Sequence, residues 1–227
     1  SVVAMGAFSG KSDVLAPGMT PGGVQKKNVG LFFDVMNTTP SNILANADQF
    51  AEHVPYLDGV AICLKDVLVV GEGGSVVTSA AYQIMKKSER WTKDSLRHHI
   101  PTLRQITAKP CLSESLLYLW ITPQKKPDRL DWRDDKAWAN FAENLASMAW
   151  LAKEGGLKGL MLDPEEYCGA LQYIQTPADP SFDECKKLAR QRGREVFSRV
   201  FKEYPDMVLF TLWYFAKFRA WMENGAQ

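Results

Sequence analysis

Apolar residues along this chain come in short continuous runs separated by amphipathic stretches, a rhythm that predicts buried strands alternating with surface helices. The first run, residues 29–36, reads Val-Gly-Leu-Phe-Phe-Asp-Val-Met between polar neighbours, the mark of a strand covered on both faces. Ser41 can cap a helix to about residue 54, with Ile43, Leu44, Ala47, Phe50 and Ala51 on one stripe. Residues 58–64 form the second strand. Thr92 then caps a helix over 93–107, and residues 115–121 give the third strand. Asp134 opens a long helix to Glu154, which Gly155-Gly156 stops. Residues 159–162 are the fourth strand, 182–204 the next helix, and 207–213 the fifth strand.

One segment breaks the rhythm. Between residues 65 and 88, two β-branched stretches flank Gly-Glu-Gly-Gly, which fits either a small hairpin or a loop inserted above the sheet. The remaining alternation, strand then helix repeated, predicts an α/β protein with a parallel sheet. Regular spacing without a glycine-rich phosphate loop favours a TIM-barrel-like parallel (β/α) barrel over a dinucleotide fold. A complete barrel takes ~250 residues, so the expectation is a barrel that is incomplete or decorated, with an open sheet as the other option. Residues 28–227 form this barrel-like domain. Residues 1–27, rich in Gly, Ser and Pro and without periodicity, read as an irregular N-terminal extension.

Composition narrows the partners. At 227 residues, with 46% hydrophobic and 23% charged residues, the chain has ordinary globular make-up. A net charge of +1 and the lack of any Lys/Arg face interleaved with aromatics argue against nucleic acid. No apolar run reaches the ~18–20 residues of a membrane span. The four cysteines, Cys63, Cys111, Cys168 and Cys185, are widely spaced and form no CxxC pair, so neither a zinc knuckle nor a disulfide scaffold is expected. Cys63 reads as a small core residue. The start at Ser1 fits a processed or a trimmed N-terminus, leaving the compartment open with a lean towards secretion or the periplasm. The oligomeric state is not readable.

Candidate chemistry gathers at strand ends, where a parallel barrel carries its loops. The fourth strand closes on Asp163-Pro-Glu-Glu-Tyr167, and side-chain alternation would send Asp163 and Glu165 to one face. Asp163, Glu165 and Glu166 are therefore the catalytic candidates. The other ends offer Asp34 and Asn37, Trp120, Tyr167, then Trp213 and Tyr214 as substrate-binding groups. Carboxylates among indole and phenol rings suit a saccharide, whose C–H faces stack on aromatics while its hydroxyls bond to acids and amides. Lys65 and Asp66, at the second strand's end, read as a solvated pair. His98 and His99 fall within a helix, one outward and one inward, and His53 ends another, where the helix dipole favours it. Three histidines make a His-rich metal site unexpected, and Gly-Glu-Gly-Gly-Ser75 lacks the Lys-Ser/Thr of a phosphate loop, so no cofactor is expected.

The run Lys158-Gly-Leu-Met-Leu-Asp-Pro-Glu165 resembles the fourth-strand motif of barrel glycoside hydrolases, written Asp-x-x-Asp-x-Asp-x-Glu in the chitinase-like family. Its last Asp and Glu match Asp163 and Glu165, while Lys158 and Met161 stand where the first two acids would be. The wider pattern is similar to glycosidase-like barrel proteins: a Phe-Phe-Asp strand, Tyr-Leu-Asp-Gly-Val, Asp-Trp before a helix, then the acidic motif. The resemblance implies cleavage of an oligo- or polysaccharide with Glu165 as general acid, assisted by Asp163. Two alternatives stay open: a catalytically inert carbohydrate-binding barrel, favoured by the changes at positions 158 and 161, and a divalent-metal-dependent barrel enzyme using Asp163, Glu165 and Asp34 as oxygen ligands.

Overall fold

A computed structural model describes residues 31–33, 39–70, 74–79, 84–85, 91–123, 125–165 and 172–212, with the backbone alone for 31–33, 65–70 and 74–79. Its elements run β1 (Leu31–Phe33), α1 (Pro40–Ala45), α2 (Ala47–His53), β2 (Gly59–Ile62), β3 (Lys65–Val70), β4 (Gly74–Ser79), α3 (Lys93–Leu96), α4 (Ile100–Thr107), β5 (Leu116–Trp120), α5 (Asp135–Glu154), β6 (Gly159–Asp163), α6 (Phe182–Glu203) and β7 (Val208–Thr211). Strands β1, β2, β5, β6 and β7 form one sheet in that spatial order, every pairing parallel. The protein is α/β, as the alternation predicts. Among the described residues the sheet has five strands and does not amount to a full eight-stranded barrel.

Strand order decides where the helices go. Each crossover steps one strand in the same direction, and right-handed connections then place every helix on one face. The packing agrees: α1 touches α4, α4 touches α5 and α5 touches α6, one continuous layer in the order of the strands. The register sorts the two faces. Ala61 pairs with Leu116, Tyr118 with Met161 and Trp120 with Asp163, so these side chains share one side. Ile62, Leu117, Leu119, Leu160 and Leu162 occupy the other, wholly aliphatic and fully buried, and suit the buried stripe of α5 packed on β5 and β6. The opposite face is also covered: Tyr118, Met161 and Asp163 are all buried.

Local chemistry fixes the helix ends. Asp134 caps α5 by accepting from the Ala137 amide, and Ser181 does the same for α6 with Glu184. At the far end of α5, the Gly156 amide donates to Lys153 and the Leu157 amide to Ala152, a Schellman closure that needs the left-handed φ of +76° found at Gly156.

Two expected helices are interrupted. The stretch expected to run unbroken from Ser41 is two helices: Thr39 is the actual cap, and Asn46 divides them, its side chain donating to the Asn42 carbonyl in competition with the helical ladder. The helix over 93–107 keeps its Thr92 cap, but a 3-10 turn at Arg97–His99 separates α3 from α4. Pro101, which lacks an amide proton and crowds the preceding turn, explains the break. His98 is exposed and His99 buried, as read from the sequence. The hairpin option holds for 65–70 and 74–79, where β3 and β4 pair antiparallel as a separate two-stranded sheet, so Lys65 and Asp66 open a strand instead of ending β2. Cys63 is buried, and Cys111 and Cys185 are free thiols. No helix among the described residues is long and apolar enough to cross a membrane. The extension 1–27 lies outside the described residues.

Candidate functional site

Strand β6 delivers Asp163 to the end of the sheet, on the face it shares with Tyr118 and Met161, where only 5% of the residue stays exposed. Both carboxylate oxygens are engaged. The Tyr118 hydroxyl, one strand over, donates to Oδ2 at 2.7 Å, and the Glu165 amide donates to Oδ1 at 2.9 Å. That second bond spans Asp163-Pro-Glu165 as an Asx turn, so the chain bends at Pro164 and β6 ends at Asp163. Strand alternation therefore does not carry through to Glu165. Burial pushes the Asp163 carboxyl above the usual carboxylate range, the Tyr118 hydroxyl and Glu165 amide oppose this, and the Glu165 charge adds to the rise.

Glu165 is held by its main chain. Its carbonyl accepts from the Trp120 indole and from Thr122 Oγ1 at 3.1 Å, while its amide is tied to Asp163. The residue is half-buried on this fixed backbone. Trp120, half-exposed at the end of β5, thus anchors the acid through its N–H, and Thr122 beneath it is buried. The Ile121 amide donates to the Asp163 carbonyl at 2.8 Å and continues the ladder beyond the strands.

The structure brings Asp163, Glu165 and Trp120 together. Asp34, Asn37, Glu166, Tyr167, Trp213 and Tyr214 lie outside the described residues. Below Asp163 on the same face sits Met161, so the acid column of the resembled motif has a single rung, and Tyr118 supplies the partner instead. Lys158 is exposed and pairs with Glu114 at 3.8 Å. Among the described residues no three His, Cys, Asp or Glu side chains converge as a metal site. No protein-family model matches this chain, and no curated protein or solved structure matches it significantly. The functional reading rests on these residues alone.

Sequence reasoning missed the braces around the site. Tyr118 carried a usable signal, because a tyrosine inside a buried strand needs a partner for its hydroxyl. The loop braces carried none. Buried Gln172, in the loop after β6, exchanges two hydrogen bonds with the Leu130 main chain, at 2.7 and 3.1 Å. Arg129 forks onto Asp179 at 2.9 and 2.6 Å, and Asp179 also accepts from the Thr176 amide and hydroxyl. The loops following β5 and β6 are therefore stitched together over the strand ends. A groove of about 420 Å³ runs between α5 and α6, lined by Trp138, Arg192 and Glu195, on the helix side of the sheet and not at these strand ends.

The Arg129–Asp179 brace makes a pH prediction. The Arg129 guanidinium, with help from Thr176, holds the Asp179 carboxyl down to about 2 against its ordinary 3.8. A depressed carboxyl stabilises the fold fully above its unfolded value and loses that contribution as pH falls through the folded one. Arg129→Met should lower the melting temperature at neutral pH by about 2–4 °C per kcal/mol removed, and the gap to the native protein should narrow between about pH 4 and pH 2. Thermal melts across that range check this, and a gap independent of pH would contradict it.

Proposed function

We propose that this chain is a glycoside hydrolase whose chemistry takes place at the C-terminal ends of the strands, on the sheet face that carries Asp163. The observation carrying the reading is the buried, proton-favouring Asp163 locked between Tyr118 and the main chain of Glu165. Both Asp163 oxygens are occupied, so Asp163 positions, and the half-exposed Glu165 is the group able to reach a substrate. Glu165 would protonate the departing glycosidic oxygen, as the general acid. The fold supports a barrel setting: a parallel sheet wound in one direction, with helices on one face and the other face buried, is what a closing (β/α) barrel presents. Trp120 and the aromatic-rich strand ends fit a saccharide as the ligand.

A second reading has its own support. Met161 in place of an acid beside Asp163 favours a carbohydrate-binding barrel that turns nothing over. The separating experiment is a glycan array followed by hydrolysis assays on whatever binds, run on the native chain and on Glu165→Gln. Hydrolysis abolished in the variant, with binding kept, supports the enzyme. Binding by the native chain without any turnover supports the inert alternative, and no glycan bound at all defeats both.

A further inference from the structure

The loop after β6 presents an aromatic ring that the proposed chemistry has not used. Tyr173 is 47% exposed although its hydroxyl donates at 2.9 Å to the carbonyl of Ile121. Ile121 is the residue whose amide donates to the Asp163 carbonyl, and the adjacent Thr122 bonds the Glu165 carbonyl. The ring is thus tethered to the residue that anchors Asp163, one position from an anchor of Glu165. The described part of its loop, from residue 172 to 181, is braced. Gln172 is clasped to Leu130, Arg129 bonds the Ile174 carbonyl as well as Asp179, and the Gln175 side chain donates to the Pro180 carbonyl at 2.8 Å. Beside it, Ile174 is 55% exposed.

A tyrosine exposed this far normally costs ordering when it binds. Here the tether at its tip and the clasped loop have already fixed it, which leaves ring surface open at low entropic cost. A preordered aromatic face next to the acids suits the C–H face of a pyranose, and the hydroxyl is already satisfied, so the ring contributes stacking and not hydrogen-bond specificity. We propose that Tyr173 is a stacking platform for a sugar unit beyond the cleaved bond, making the substrate an oligosaccharide and not a single sugar on a small leaving group. This rests on the glycoside hydrolase reading for its substrate class and adds a residue and a chain-length requirement to it.

The test uses the full chain, a panel of hexasaccharides (cello-, xylo-, manno-, malto- and chitohexaose) and the matching 4-nitrophenyl monoglycosides. Tyr173→Ala should weaken hexasaccharide affinity, and raise KM, by about tenfold with kcat nearly unchanged. On the monoglycosides its kcat/KM should stay within about twofold of native, because a platform acts only on longer chains. Tyr173→Phe keeps the ring and loses the tether, so a platform sacrifices only part of its preordering and falls between the native protein and Ala, whereas a purely structural tether makes Phe as damaging as Ala. Equal losses in Phe and Ala, an unaltered KM in Ala, or no hexasaccharide bound overturn the platform. The two proposals fail separately: hydrolysis retained with Tyr173→Ala unaffected removes the platform alone, and Tyr173-dependent binding without turnover removes the enzyme alone.

Discussion

Gly159→Ala is expected to prevent the chain from folding, or to lower its melting temperature by roughly 10 °C or more. A Cβ at Gly159 would lie 1.9 Å from the Val208 carbonyl oxygen and under 3 Å from two further Val208 backbone atoms. Those atoms belong to the first residue of β7, so relief requires the two strands to part. The Gly159 φ of +155° is itself a conformation that side chains rarely adopt. Strand β6 sits between β5 and β7 and delivers Asp163, so the damage should reach the site as well as the fold. Gly193 in α6 gives the opposite sign. Nothing lies within 4 Å of an added Cβ there, and alanine in a helix interior is favoured by about 1 kcal/mol. Circular dichroism melts of the two variants side by side make the comparison, and a Gly159→Ala protein melting within a few degrees of native would refute the account of this strand junction.

The second large effect concerns activity. Glu165→Gln should lower hydrolysis of a responsive glycan about 10²–10⁴-fold, the span of one general acid, with binding retained. The variant keeps the Glu165 amide and carbonyl that bond Asp163, Trp120 and Thr122, so these anchors of the backbone persist. Asp163→Asn probes the positioning role. The amide oxygen can still accept from the Glu165 N–H, and the amide nitrogen can donate to the Tyr118 oxygen, so shape is preserved while the charge is removed. Burial raises the Asp163 carboxyl, so its contribution to stability is complete at low pH and is lost as pH climbs through the folded value. The Asn variant should thus match or exceed the native melting temperature at neutral pH and lose any advantage in acid. Its kcat should fall less than that of Glu165→Gln, with the acid limb of the pH–rate profile displaced. Unchanged profiles in both variants would remove this pair from the chemistry.

The strand-by-strand layout was legible because each buried strand is a continuous apolar run and each long helix carries its own cap and stop. Thr92, Asp134, Gly155 and Gly156 all act where local preference puts them. Helix interruptions at Asn46 and Pro101 were less legible, since an amphipathic stripe continues across both. At the site, Asp163 was marked by its place after Leu162, but the bend at Pro164 hid the different way in which Glu165 is held. Tyr118 could have been found from its parity with Trp120. Gln172, Arg129 and Asp179 could not, because they meet across 42 to 50 residues and carry no local pattern.

Trp120, Thr122, Gln172 and Tyr173 all grip carbonyl groups, those of Glu165, Leu130 and Ile121, so the rim is joined through main chain. The rim is in effect a frame whose joints are peptide groups. Trp120→Phe, which keeps a ring and loses the N–H, should therefore loosen the backbone at position 165, whereas a changed side chain there keeps the joints made by its carbonyl.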